Sequence, residues 1–160
     1  MAASSPKRVT VLRFDREPLP GYASIGALWR PEGLEMLSAT GTLLLVPAIE
    51  VKVICFVRSW DEPTGLDVRR EFLSRPKFDG LWVRFDFRDG DFLQGLIANR
   101  LTEWAAGGVY ATPPDIAGNT QRVFIPVAAL AACRVLSVIG GARPGRKPRT
   151  PAEGQLRMFD

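Results

Sequence analysis

The feature that most constrains the fold is a strict alternation of apolar and polar residues in the middle of the chain. From position 81 the apolar side chains recur at every second residue, as Leu81, Val83, Phe85 and Phe87. A period of two residues is typical of a β-strand with one buried face. Asp89 and Gly90 follow, a dipeptide that favours a tight hairpin because glycine tolerates positive φ angles. The pattern therefore predicts a strand, a hairpin and a return strand over residues 92–97.

Further apolar segments follow the hairpin, and residues 81–139 together predict a barrel of five short strands. Residues 9–58 repeat this order weakly. In each half a strand meets a proline, Pro47 or Pro126, then a break of about one turn, then a long closing strand. This order is similar to that of SH3-like and Sm-like barrels. The predicted fold is mainly β, with two tandem five-stranded SH3-like or Sm-like small barrels.

Residues 59–80 join the two predicted barrels. This linker begins polar and then carries Leu66, Phe72 and Leu73 at roughly helical spacing before Pro76, which predicts a short connecting helix. Each barrel is small enough to be marginally stable alone, so we expect the two to pack on each other. Exposed strand edges could also pair between copies, which leaves a homo-oligomer open.

The residue types present exclude several kinds of chemistry. The chain contains no histidine and only two cysteines, Cys55 and Cys133. The missing histidine excludes histidine-based catalysis and almost every catalytic zinc site. Both cysteines lie in apolar strand patterns, which predicts buried, unreactive thiols. Asp89 and Asp91 flank the hairpin glycine, where acidic residues are ordinary turn formers. We therefore expect no enzyme activity, no metal and no cofactor.

The net charge of +4 is concentrated at one end of the chain. Residues 1–139 contain 16 basic and 15 acidic residues, whereas residues 140–160 contain five and two. A nearly neutral body is poor evidence for a phosphate-binding face. No apolar run is long enough to cross a bilayer, and the first residues lack the apolar segment of a secretory signal. The expected location is cytoplasmic, without a membrane partner.

Residues 112–122 form the most conspicuous loop, with two prolines and a glycine. Two interpretations remain open. The loop could serve recognition, as loops on rigid scaffolds commonly do, through Asn119, Gln121 and Arg122. Alternatively it is a plain hairpin connection whose polar side chains bond to their own backbone.

From Gly140 the composition changes abruptly. Residues 140–154 hold four glycines, three prolines and four basic residues, which predicts a disordered basic tail. The basic side chains could add a weak, salt-sensitive attraction to DNA or RNA, through Arg143, Arg146, Lys147 and Arg149.

Apolar residues return at positions 155–159, which read Gln155, Leu156, Arg157, Met158 and Phe159. This segment resembles the short peptide by which bacterial polymerases and repair proteins dock on the DNA sliding clamp. The family pattern is Gln, Leu, a small or acidic residue, Leu, Phe, so the chain departs from it at Arg157 and Met158. The resemblance implies that Gln155 enters a polar pocket and that three side chains enter apolar subsites, namely Leu156, Met158 and Phe159. The alternative is that the tail folds back on the body.

The body also resembles an uncharacterised family of bacterial proteins, through residues 85–95, 112–115 and 119–126. That resemblance implies the fold and no established activity. The sequence therefore predicts a non-enzymatic adaptor whose C-terminal peptide docks on a protein partner, with the sliding clamp as the expected one. The alternative function is an Sm-like nucleic-acid-binding module.

Overall fold

The computed structural model describes residues 5–104 and 106–140, which form a mainly β structure. The strands are β1 (Lys7–Arg13), β2 (Arg16–Ala23), β3 (Trp29–Arg30), β4 (Gly33–Ser38), β5 (Leu43–Pro47), β6 (Val51–Val57), β7 (Gly80–Phe87), β8 (Phe92–Ile97), β9 (Gly108–Ala111), β10 (Thr120–Pro126) and β11 (Leu130–Ile139). One helical turn, α1 (Gly65–Val68), and short 3-10 helices at Ala48–Glu50, Leu101–Trp104 and Val127–Ala129 complete the elements. The mainly β class is confirmed. Within these ranges no helix has the length and apolar character to cross a membrane.

The strands form two sheets that do not follow the predicted division into halves. Eight strands form one sheet in the order β3-β4-β2-β1-β6-β10-β9, with β5 beside β4, and β11-β7-β8 form the other. Strand β6 lies between β1 and β10, so a strand of the first half is hydrogen-bonded to a strand of the second. Two separate five-stranded barrels are therefore not confirmed. The predicted linker helix is present as α1 and is only four residues long.

The proline-headed breaks of the internal repeat are confirmed in both halves. Pro47 ends β5 and Pro126 ends β10, and each is followed by a three-residue 3-10 helix and a long strand. Proline suits this position because its fixed φ allows the extended entry and its missing N–H removes one donor from the sheet. The two closing strands nevertheless differ in burial: all of β6 is buried, whereas residues 131–136 of β11 are exposed.

Strand β6 contributes to two apolar cores, which explains its complete burial. Its side chains alternate between the two faces of the sheet. Val53, Cys55 and Val57 pack in a core that also holds residues of β7, β8 and β10. Ile54 and Phe56 pack in a second core with residues of β1, β4 and β10.

Lys52 of β6 places a cation between the two halves. Its Nζ donates hydrogen bonds to Oδ2 of Asp89 at 2.8 Å and to Oδ2 of Asp91 at 3.0 Å. Burial disfavours the charged carboxylate of Asp89, but hydrogen bonds from Lys52 and from the backbone N–H of Asp91 outweigh this and lower the pKa of Asp89. The two acids of the predicted hairpin therefore also hold a nearly buried ammonium group, because a buried charge is tolerated when it is paired.

Candidate functional site

A cavity of about 340 Å³ opens where the segment before β7 faces β8, β9 and β10. Its volume lies near the lower end of the range typical of ligand sites. Its walls combine apolar, acidic and basic side chains, from Phe78, Asp79, Leu96, Ile97, Ala98, Arg100, Glu103, Tyr110, Ala111, Thr112 and Arg122.

Tyr110 of β9 contributes its aromatic ring to the wall of the cavity, and its hydroxyl group is hydrogen-bonded to the backbone. Its Oη accepts a hydrogen bond from the backbone N of Gly26 at 2.8 Å, and its ring centre lies 4.9 Å from that of Phe124. The guanidinium carbon of Arg122 lies 5.7 Å from the ring centre of Tyr110. Burial raises the pKa of Tyr110, against smaller opposing effects of the Gly26 hydrogen bond and the Arg122 charge. The hydroxyl group of Tyr110 is therefore a weaker acid than that of an ordinary tyrosine.

Charged groups of both signs line the same cavity. Arg100 and Glu103 form an ion pair at 3.0 Å, in which the side chain of Glu103 is largely buried and that of Arg100 is exposed. Arg122 supplies a second guanidinium and Asp79 a second carboxylate. Hydrogen-bonding groups beside an aromatic and aliphatic wall are chemistry suited to binding and orienting a ligand.

A second, more apolar groove of about 220 Å³ adjoins this cavity and shares Phe78, Leu96 and Thr112 with it. Leu73 and Phe78 are 79% and 62% exposed. The groove is also lined by basic residues of the same segment, namely Arg69, Arg75 and Lys77. Large apolar side chains grouped this closely at a surface are typical of an interaction site.

The predicted recognition residues lie in different environments. The amide of Asn119 is buried and holds the segment that follows β6: its Oδ1 accepts hydrogen bonds from the N–H groups of Arg58 and Ser59, and its Nδ2 donates to the carbonyls of Ser59, Glu62 and Pro63. Gln121 and Arg122 are exposed, and Arg122 reaches the 340 Å³ cavity. The recognition role of the loop stays a prediction, in which Asn119 positions the loop rather than facing a ligand.

The residues predicted in the tail lie outside the described part of the chain. These are Gln155, Leu156, Met158 and Phe159 of the docking peptide, and Arg143, Arg146, Lys147 and Arg149 of the basic segment. The described residues end at Gly140, which is exposed with a φ of 75° directly after the buried Ile139.

The two cysteines differ, although the sequence predicted buried thiols for both. Cys55 of β6 is buried, and desolvation, with a smaller contribution from the charge of Asp67, raises its pKa to about 12. Cys133 is exposed, so the prediction is wrong for this residue. The reason is that β11 is an edge strand among the described strands, and an apolar pattern does not ensure burial at an edge. Among the described residues, no group of three potential ligands is arranged to hold a metal ion.

Sequence comparison assigns the chain to a protein family. No curated protein and no solved structure matches it. A family model matches residues 5–137, which include the three blocks at 85–95, 112–115 and 119–126. The resemblance to an uncharacterised family is thereby confirmed, and the chain belongs to the "Family of unknown function (DUF6982)".

Proposed function

We propose that this protein is a non-enzymatic adaptor whose C-terminal peptide docks on a protein partner, and that this partner is the DNA sliding clamp. The observation that carries the proposal is the peptide at positions 155–159. Its glutamine and three apolar residues follow a stretch, residues 140–154, whose composition supplies almost no apolar surface. A compact set of anchors next to such a stretch needs a complementary pocket on another surface.

Features of the body support a role in carrying this peptide. Strand β11 ends at Ile139, and Gly140, the last described residue, is exposed at the surface. The thiol of Cys55 is buried with a pKa near 12, so it supplies no thiolate nucleophile near pH 7. The absence of histidine from the sequence removes the commonest general acid or base.

Replacing both Gln155 and Phe159 by alanine is expected to weaken binding to purified sliding clamp at least about 10-fold, because truncating an anchor residue commonly costs more than 1 kcal/mol. The measurement is a fluorescence-polarisation titration of the labelled full chain with clamp. Arg157→Ala is the matched control, since the clamp-binding pattern accepts a small residue there, and it should change affinity by less than about 3-fold. Equal affinities of the wild type and the double variant would rule out this docking mode.

A second candidate function, nucleic-acid binding by the body in the manner of an Sm-like module, is favoured by the surroundings of Phe78. This exposed ring lies between the cavity that contains Arg100 and Arg122 and the groove that contains Arg75 and Lys77. An aromatic platform flanked by cations is the combination that binds single-stranded nucleic acid. In each half the closing strand pairs with the first strand, β6 with β1 and β11 with β7. This pairing supports an SH3-like or Sm-like arrangement of each half.

For this second candidate, Phe78→Ala is expected to weaken binding of a labelled single-stranded oligonucleotide by about 10-fold, because stacking of one base on an aromatic ring contributes roughly 1–3 kcal/mol. The measurement is a polarisation titration at two salt concentrations, with weaker binding at the higher one. Leu101→Ala is the control, because Leu101 is fully exposed and outside both the cavity and the groove. A Phe78→Ala variant that binds as the wild type does would exclude this candidate.

A further inference from the structure

Among the described strands, β11 is a long sheet edge that is exposed over most of its length. In the described residues it pairs only with β7 and ends the three-stranded sheet. Six consecutive residues, 131–136, are exposed, and Val135 and Val138 are 56% and 53% exposed. Proteins usually protect such an edge with lysine, proline or a covering element, because its free N–H and C=O groups accept another strand.

Some exposed side chains of β11 lie on the side of the sheet that faces the protein core. Cys133 lies opposite Phe85 of β7, and Val135 lies opposite Val83. Opposite residues of an antiparallel pair point to the same side of the sheet, and both β7 residues are fully buried. The core face of the three-stranded sheet therefore continues onto β11 without a cover among the described residues.

The internal repeat shows what kind of element fits there. Strand β6 is the equivalent of β11: each follows a proline and a 3-10 helix, and each pairs with the first strand of its half. The other side of β6 is covered by an antiparallel strand, β10. The corresponding side of β11 likewise presents backbone N–H and C=O groups, and an antiparallel strand would pair with them.

We propose that this strand is β11 of a second copy, paired antiparallel about a two-fold axis at Cys133. An antiparallel pair of identical strands is self-complementary, so one edge serves both partners. The two three-stranded sheets then form one sheet of six strands, with on average about one additional backbone hydrogen bond per pair of opposite residues. The regular stretch of β11 between its two register shifts, residues 132–135, lies at the centre of this pairing.

Charge selects this register over its neighbour. A pairing centred on Arg134 would set two arginines directly opposite each other, which is unfavourable. With Cys133 at the centre, Arg134 of the second copy lies opposite Ala132, and Ala132 lies opposite Asp86 of β7. The small side chain of Ala132 leaves room for that guanidinium to approach Asp86, whose carboxylate lies between the arginines and pairs within its own chain with Arg84 at 2.9 Å and with Arg134 at 3.7 Å. The two-fold axis makes this contact twice.

The first test is the mass of the full chain in reducing buffer, measured by sedimentation velocity at micromolar concentration. The expected species is a dimer, and Val135→Lys should convert it to a monomer because it places a charge in the apolar centre of the interface. Val127→Lys is the matched control: Val127 is 48% exposed but lies in the 3-10 helix before β11, and this variant should stay dimeric. Circular dichroism and thermal unfolding show whether each variant is folded.

The second test is crosslinking through Cys133, since Cys55 is buried. Opposite residues in paired strands have Cβ atoms about 4.5–5.5 Å apart, close to the distance a disulfide requires. Diamide, which accepts the two protons and two electrons lost by a pair of thiols and is reduced to its hydrazine, should therefore convert the dimer to a covalent one. Moving the thiol by one residue, with Cys133→Ser and Ala132→Cys together, should reduce crosslinking at least about 5-fold, because the two thiols are then offset along the strands.

Three results would overturn the proposal. A wild-type chain that is monomeric excludes it, and if amide hydrogen exchange of residues 131–136 is then slow, the edge is covered by residues 141–160 instead. A dimer that survives Val135→Lys excludes β11 as the interface. A dimer whose Cys133 thiols crosslink no faster than those of the shifted variant excludes the pairing about Cys133.

Discussion

Replacing Phe124 by alanine is expected to lower the free energy of unfolding by about 3–5 kcal/mol, the usual loss when a large aromatic side chain is removed from a core. Phe124 is on β10, in the second half of the sequence, but its side chain is 1% exposed in the core that contains Val9 and Leu34 of the first half. Its ring centre lies 5.7 Å from that of Trp29 and 4.9 Å from that of Tyr110. The truncation therefore opens a cavity at the junction of both halves.

The measurement is chemical denaturation followed by circular dichroism and by tryptophan fluorescence. We expect coincident transitions, because β10 and β6 belong to one sheet and both cores contain residues of β6. Phe78→Ala is the control, since Phe78 is mostly exposed and its removal should change stability by less than about 0.5 kcal/mol. Two separate transitions, with only one affected by Phe124→Ala, would show instead that the halves are independent folding units.

The second large effect is expected for Asn119→Ala, which should lower the free energy of unfolding by about 2–4 kcal/mol. The carboxamide connects the loop before β10 to the segment after β6. Its Oδ1 accepts from the N–H of Ser59 at 2.8 Å, and its Nδ2 donates to the carbonyl of the same residue at 2.9 Å. Alanine removes these two bonds and the donor to the carbonyls of Glu62 and Pro63. Each buried polar group left unsatisfied costs about 1–3 kcal/mol.

Two variants separate this effect from a general sensitivity of the loop. Asn119→Asp keeps the acceptor but loses the donor to three carbonyls, so its stability should be lowered as well. Gln121→Ala changes an exposed side chain two residues away and should alter stability by less than about 0.5 kcal/mol. Faster amide hydrogen exchange at residue 59 in Asn119→Ala is the local readout. An Asn119→Ala variant as stable as Gln121→Ala would contradict the structural role.

Local features of the sequence were sufficient to predict several elements. The alternation from Leu81 to Phe87 became β7, and Gly90 in the following turn has a φ of 93°. The prolines at positions 47 and 126 mark the breaks before the two closing strands. These predictions succeed because strand periodicity and proline or glycine geometry depend on residues close together in the chain.

The candidate site was predictable only in part. The loop at residues 112–122 was recognised, and Thr112 and Arg122 do line the 340 Å³ cavity. The contribution of Tyr110 and of the exposed Phe78 was missed, since each depends on which strands and loops meet there. Lys52 was missed as well: it reads as one interruption in an apolar segment, and its two carboxylate partners lie 37 and 39 residues away.

By itself the sequence determined a mainly β chain, with repeated proline-headed breaks before two long closing strands. Only the tertiary structure decided that β6 lies in the middle of a sheet and β11 at the edge of one. Both strands are apolar. An apolar segment indicates that a strand tends to be buried, but it does not indicate which strand will pair with it. The pairing of β6 with β10 joins residues roughly 60–70 positions apart, and such a contact is specified by the packing of the whole core rather than by either strand.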